Sequence, residues 1–398
     1  MITCGIDPSR GDLAVSIVKD GKEIDYFKVL NERKGYQKMF NRLETLDTLP
    51  AVYIEGHGDF AKRFALQCMQ NNIKLYEINP LKSKKLKETI TWDKSDHIDA
   101  YVAALMPFNN SNLNPLTLDT KVEGLKKLSR EYDKMGNTMT AYKNRFHSYL
   151  NQNYGFVYKK LFSAVNATSL NFFISFPNPD LVKKASIKEI QNTLIKSGAK
   201  CYMGKNGIKK ATEIKKIIAE SNPNNFDVFT EMTSNLIVSM AKLLLEFIKQ
   251  RNNLAKEIDK ALKKYFPEYI GVFEGKLKSV ATITLASLIA EIGNIKSFAN
   301  DGKLAAFAGQ APRNLQSAKV RKKGKRKSYD RYLAKTVHMI ALNNSKEGGL
   351  FHDYYEEKKK HFAKKLRALK SVKRLVCTII FKVLTELNKK TMSNENAA

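Results

Sequence analysis

Along the first hundred residues the apolar positions change period several times, and each change marks an element. Short alternating or unbroken apolar runs read as strands at Ile2 to Asp7, Leu13 to Lys19 and Ile24 to Leu30, with Asp20-Gly21 as a hairpin turn between the last two. Apolar residues at three- and four-residue steps then mark a helix over about 35–46. A buried-type strand, Ala51 to Glu55, comes next, then a helix over about 60–70 and a short strand, Lys74 to Ile78. Asn79-Pro80 reads as a break, and a further helix runs from about Ser95 through Leu105.

Three leading strands followed by alternating helices and strands suggest an α/β sheet domain of RNase-H type over residues 1–121. From about Val122 to Phe266 strand signals nearly vanish. Two long helical stretches, near Val122 to Tyr154 and Phe226 to Phe266, flank a lysine-rich middle with weak patterning. Leu236, Met240, Leu243, Phe247, Leu254 and Ile258 form a stripe at three- and four-residue steps. Such a stripe serves an antiparallel helical hairpin or bundle, or else an intermolecular coiled coil. Residues 122–270 are therefore expected to form a helical region, and residues 271–398 a mainly α-helical, basic C-terminal domain whose tail from Met392 is disordered.

Composition changes this picture by naming a class of partner. The chain of 398 residues carries 69 basic against 39 acidic residues, a formal charge of +30, with 43% apolar residues to build cores. Such an excess implies a polyanion: nucleic acid or an anionic membrane surface. With no apolar span of about 20 residues read in the sequence and no leader-like start, nucleic acid is the expectation and the membrane is set aside. Cys4, Cys68, Cys201 and Cys377 are scattered without C-x-x-C pairing, which argues against structural zinc and a disulfide framework and fits a reducing cytoplasm.

Four acids stand out by position. Asp7 ends an apolar strand where the chain leaves the sheet, Glu55 ends a second, and Asp96 and Asp99 lie three apart at the start of a helix, on one face. Carboxylates converging in this way repel one another unless hard divalent cations bind between them. Two Mg²⁺ or Mn²⁺ ions would suit phosphoryl transfer, activating the attacking oxygen and stabilising the leaving one. Each acid alone reads more readily as a surface residue, and Asp96 as a helix cap, but four in this order inside an α/β pattern and a +30 chain reverse that preference.

The ordered set Gly5-Ile6-Asp7-Pro8-Ser9-Arg10, Ile54-Glu55-Gly56-His57-Gly58, Ile78-Asn79-Pro80 and Lys94-Ser95-Asp96-His97-Ile98-Asp99-Ala100 resembles the DEDD transposases of the one-hundred-and-ten group of bacterial insertion sequences, relatives of the Piv-type DNA invertases. Ala290-Glu291-Ile292-Gly293-Asn294, Phe298, the run from Leu304 to Pro312, Gln316-Ser317 and the run from Lys327 to Leu333 resemble that family's second domain. The resemblance implies a RuvC-like catalytic domain in which Asp7, Glu55, Asp96 and Asp99 are metal ligands, and a catalytic serine at Ser317 whose hydroxyl attacks DNA phosphate. It implies donor and target DNA as substrates, a noncoding guide RNA that pairs with both, and action as a homodimer or homotetramer. Ala318 stands where the family usually has glycine, and Ser279-Val280-Ala281-Thr282-Ile283 replaces its usual Pro-Gly-Ile-Gly turn.

Read locally, Ser317 is an unremarkable serine with no histidine nearby in sequence. The segment from Lys319 to Arg331 holds eight basic residues in thirteen (Lys319, Arg321, Lys322, Lys323, Lys325, Arg326, Lys327 and Arg331), with Arg313 just before it. A second run, Lys358 to Arg374, holds nine in seventeen. Beside Ser317, the first run is expected to contact phosphates, which positions a duplex without reading its sequence. Three functions stay open on the residues: a serine-assisted DNA recombinase, protein-read or RNA-guided; a metal-dependent nuclease of junction-resolvase type; and a nucleic-acid-binding scaffold.

Overall fold

In the computed structural model the described residues are 1–55, 58–109, 113, 115–116, 118–196, 200–221, 227–311, 313–317, 320–324, 328–361 and 365–395. Two compact units divide the chain, Met1–Thr120 and Lys121–Ala398.

The first unit is a mixed five-stranded sheet with helices. Its strands are β1 (Ile2–Pro8), β2 (Asp12–Lys19), β3 (Lys22–Leu30), β4 (Ala51–Glu55) and β5 (Leu75–Ile78), in the order β3-β2-β1-β4-β5. The first three form an antiparallel meander, and β4 and β5 run parallel to β1. Asp20 (φ 50°) and Gly21 (φ 83°) make the β2–β3 turn, both central residues being left-handed as a two-residue hairpin of this twist requires. The helices are α1 (Arg33–Glu44), α2 (Asp59–Gln70), α3 (Pro80–Ile90) and α4 (Asp96–Asn109). Helix α3 falls where the sequence reads as a break. Asn79 accepts a hydrogen bond from the Leu81 amide at 2.9 Å and Pro80 takes the first helical position, so the same dipeptide starts a helix.

Helix α4 lies against β1 at backbone distance. A Cβ on Gly5 would overlap the Ala100 carbonyl oxygen and the Ala104 amide nitrogen. The buried Thr3 hydroxyl donates to the Ala104 carbonyl at 2.8 Å. Small residues on both surfaces thus fix the depth at which α4 sits over the sheet, and with it the height of Asp96 and Asp99.

The second unit contains α5 (Thr120–Tyr154, entering from the last residue of the first unit), α6 (Tyr158–Leu161), α7 (Ala167–Ser175), α8 (Pro179–Lys184), α9 (Ile187–Ile195), α10 (Lys205–Ser221) and α11 (Asp227–Tyr265). Then follow α12 (Thr282–Ile292), α13 (Asp301–Phe307), strands β6 (Arg313–Ser317) and β7 (Val320–Gly324), α14 (Arg331–Asn344), α15 (His352–His361) and α16 (Lys365–Glu395). Helices α5 and α11 pack antiparallel: Tyr132 meets Arg251, Tyr142 meets Phe247, and Asn153 meets Ser234. The lysine-rich middle is a helical core around Phe172, Phe173, Ile190 and Ile214, all fully or almost fully buried. A second core joins α12, α14 and α16 to the far ends of α5 and α11.

Three expectations are corrected here, and a fourth is refined. The inward stripe of α11 is Ile237, Ala241, Leu244 and Ile258, whereas Leu236 (48% exposed) and Leu243 (39%) face outward with Val228, Phe229 and Met232. An 18-residue window of α11 reaches a mean hydropathy of 1.3, so by length and composition alone the sequence does hold a span of the kind not read in it. The C-terminal region is mainly helical as expected, and it also includes an antiparallel strand pair, β6–β7, that the apolar pattern did not show. The tail is helical as far as Glu395.

Candidate active site

The sheet order places the C-terminal ends of β1 and β4 side by side, with Ile6 opposite Ile54, so Asp7 and Glu55 leave adjacent strands together. Helix α4 brings the other two acids. Ser95 caps it, its hydroxyl accepting from the Ile98 amide at 3.2 Å, with Asp96 and Asp99 in the first turn.

All four acids influence one another at Asp7. Its carboxyl is pushed up from 3.8 to about 6, first by burial, then by the charges of Asp99, Asp96 and Glu55, with Lys87 pulling the other way. The Asp7 carboxylate makes no hydrogen bond or ion pair among the described residues. Its three companions are held by partners. Ser83 donates to Glu55 Oε2 at 2.7 Å. Lys87 Nζ meets Asp99 Oδ1 at 2.5 Å, and both side chains are mostly buried. Lys28 Nζ, on β3, meets Asp96 Oδ2 at 2.7 Å and Asp12 at 3.9 Å. That hydrogen bond holds the Asp96 carboxyl below the usual range.

Ser83 and Lys87 are the residues that the sequence reading missed. They lie four apart on α3, on one face, and both point at the carboxylates. The available signal was the Asn79-Pro80 helix start followed by a run of helix formers. Among the described residues no three His, Cys, Asp or Glu side chains are grouped closely enough to hold a metal ion. The ammonium groups of Lys87 and Lys28 occupy the oxygens that a cation would need. The donor chemistry nonetheless fits a hard divalent ion: four carboxylates, one of them unpaired and electrostatically strained, with no soft ligand among them.

In the second unit Ser317 is the last residue of β6 and pairs with Val320. Arg313 on β6, and Arg321, Lys322 and Lys323 on β7, belong to the same strand pair. The expectations for Lys319, Lys325, Arg326 and Lys327 fall outside the described residues. Asp330 follows at the start of α14, which it caps by accepting from the Leu333 amide at 2.7 Å, with Arg331 as the first helical residue.

Behind this helix start lies a buried ion cluster. Arg130 on α5 donates through Nε and Nη2 to the two oxygens of Glu291, each at 2.7 Å, and reaches Asp330 at 3.4 Å. Its guanidinium also lies over the Tyr332 ring at 4.6 Å, and Lys126 approaches Glu291 at 3.7 Å. Only 1% of the Glu291 side chain is exposed, so the fork pairing of Arg130 is what satisfies it. Ahead of α12, Ser279 adopts φ 64°, a left-handed conformation natural to glycine. Asn344 holds this turn by accepting from the Lys278 amide at 3.0 Å and donating to its carbonyl at 2.9 Å.

Carboxylates at the ends of sheet strands, joined in one chain to a basic helical unit, suit chemistry on a phosphate backbone. Two family models match: a transposase model of the IS110 DEDD type over residues 4–154, and the Transposase IS116/IS110/IS902 family over residues 276–356. The chain belongs to the IS110-family DEDD transposases. No curated protein matches it. DEDD transposase domains generally use divalent metal ions, and the family's substrate is DNA.

Proposed function

We propose that the chain cuts and rejoins DNA strands with Mg²⁺ or Mn²⁺ held by Asp7, Glu55, Asp96 and Asp99, in a RuvC-like (RNase-H-type) first unit, and with Ser317 as the nucleophile. The observation that carries the reading is the meeting of Asp7 and Glu55, at the ends of paired strands, with Asp96 and Asp99 in the first turn of α4, which together with burial raises Asp7 to about 6. A structural site would neutralise that strain, whereas a metal site leaves it for the ion to relieve. When bound, the ion pair would supply charge neutralisation at the phosphate and at the developing alkoxides.

The chain's own residues do the rest. Lys87 and Lys28 hold the Asp99 and Asp96 carboxylates in place, and would give up these oxygens to bound ions. Ser83 holds one oxygen of Glu55 and leaves the other free to turn inward. The Ser317 Oγ–H bond breaks as Oγ bonds to phosphorus. The bond from phosphorus to one sugar oxygen breaks in turn, and that oxygen leaves with a proton. Because the phosphodiester energy is retained in the serine ester, reversal with a different sugar hydroxyl rejoins strands. Arg313, Lys319, Arg321, Lys322, Lys323, Lys325, Arg326, Lys327 and Arg331 hold the DNA backbone near the serine. A structured noncoding RNA supplies the sequence, and a homodimer or homotetramer in the bacterial cytoplasm brings two half-sites together.

Asp99→Ala tests the carboxylates. It is expected to abolish DNA processing and divalent-ion heat in calorimetry while DNA binding persists. Retained Mg²⁺ and Mn²⁺ binding in both Asp99→Ala and Asp7→Ala would overturn the metal site. Full activity of Ser317→Ala would instead indicate a nuclease that needs no serine.

A further inference from the structure

Two adjoining cavities of the second unit, far in sequence from both the carboxylates and Ser317, have complementary linings. The first, of about 290 Å³, is walled by His147 and Leu150 of α5, Tyr158 of α6, Phe162, and Phe173 of α7. The second, of about 270 Å³, is lined by Lys159, Lys160, Tyr202 and Lys210. They share Lys159 and the turn from Phe162 to Ala164, so one chamber opens beside the other. Neither lining contains an acidic residue. Of the three lysines, Lys210 is paired with Glu213 at 3.2 Å, and Lys159 lies over the Phe156 ring at 5.2 Å.

The aromatic chamber also carries an unsatisfied polar atom. His147 Nδ1 is buried and has no hydrogen-bond partner among the described residues. Its ring lies 5.5 Å from that of Tyr158, tilted by 33°. Burial, then Lys159 and Lys143, push the imidazole below its usual range, so it is neutral near pH 7 and can donate or accept. A buried polar atom without a partner costs stability unless a ligand completes it.

We infer that this double cavity is a binding cleft for one unpaired nucleotide, with the base in the aromatic chamber against Tyr158, Phe162 and His147 and its phosphate on Lys159, Lys160 and Lys210. Flat aromatic walls suit a base of any identity, because every base offers a face for stacking. The cationic chamber suits a backbone phosphate, whose charge the lysines neutralise. A helical insert of this kind would grip a single strand, whether looped RNA or a displaced DNA strand, rather than a duplex whose bases are already stacked. The inference rests on the nucleic-acid partner proposed above.

The test uses the full-length protein and a single-stranded oligothymidylate carrying one 4-thiothymidine, irradiated and mapped by mass spectrometry. Crosslinks are expected at Tyr158, Phe162 or Tyr202. They should fall about tenfold in Ser163→Trp, which fills the aromatic chamber, and in Lys160→Glu, whose exposed side chain can change without touching the core. Duplex binding should stay unchanged in both. Competition by thymidine monophosphate as well as by an unlabelled strand supports a site for a nucleotide as such, and competition by the strand alone supports one that needs neighbouring phosphates. Crosslinks elsewhere, or undiminished in both variants while the protein still binds duplex DNA, overturn the cleft and leave the proposed function standing. Failure to bind DNA in any form overturns both.

Discussion

Replacing Asp7 by asparagine should make the metal-free protein more stable at neutral pH while destroying its activity. The Asp7 carboxyl is raised from 3.8 to about 6 by burial and by Asp99, Asp96 and Glu55. A raised acid binds its proton more tightly in the folded state, so the folded chain loses stability as pH rises from 3.8 to 6, and the loss persists above. At about 1.36 kcal/mol per pH unit the unscreened cost approaches about 3 kcal/mol. Asp7 is only partly buried, and solvent screening brings the figure to about 1–2 kcal/mol. An asparagine side chain at this position cannot ionise and escapes the cost. The measurement is hydrogen exchange of the β1 and β4 amides in EDTA, which reports opening of the first unit separately from the second. At pH 7.5 Asp7→Asn should exchange about 5- to 30-fold more slowly than the wild type, and at pH 4 the difference should largely vanish. Added Mg²⁺ should slow exchange in the wild type more than in the variant. Equal or faster exchange in Asp7→Asn at pH 7.5 would show that the acids do not repel one another there.

Three further outcomes follow from particular contacts. Ser279→Gly should raise stability by about 1 kcal/mol, read as a higher melting temperature of the full chain, because glycine holds φ 64° without strain; a lower melting temperature would mean that the serine side chain stabilises the turn. Arg130→Ala leaves Glu291 buried with Lys126 as its remaining cation among the described residues and should cost about 3 kcal/mol, visible as faster exchange in α12 and α14. Unchanged exchange there would show that the cluster is not structural. Gly5→Ala must push α4 off β1 and should abolish both the fold of the first unit and divalent-ion binding, checked by calorimetry and by β1 exchange; a folded, metal-binding variant would contradict the close approach.

Much of the first unit is legible because its elements have one buried face each. The strands β1, β2 and β4 and the ends that carry Asp7 and Glu55 follow from apolar runs alone, and the Asp20-Gly21 turn follows from its chemistry. Helix α3 is not, because Asn79-Pro80 serves equally as a stop and as a start. With it went Ser83 and Lys87, whose roles depend on where α3 lies rather than on any motif. Helix α11 hides its register by having apolar residues on two sides, so spacing alone selects Leu236 and Leu243, which face outward, over Ile237 and Leu244, which are buried. The strands β6 and β7 have only Leu315 and Val320 as apolar residues, too few to show a period of two. Family motifs, not periodicity, were what singled out Ser317.

The central claim is that a serine in this chain forms a bond to DNA with the help of the four carboxylates. Its most direct test is to incubate the purified protein with its element's DNA and RNA in Mg²⁺, denature it, and sequence any peptide left attached to DNA. A phosphodiester at Ser317, absent in Ser317→Ala and in Asp99→Ala and lost when EDTA replaces Mg²⁺, is the predicted result. Cleaved DNA with free ends and no attached protein, at full rate in Ser317→Ala, would contradict the account and make the chain a metal-dependent nuclease.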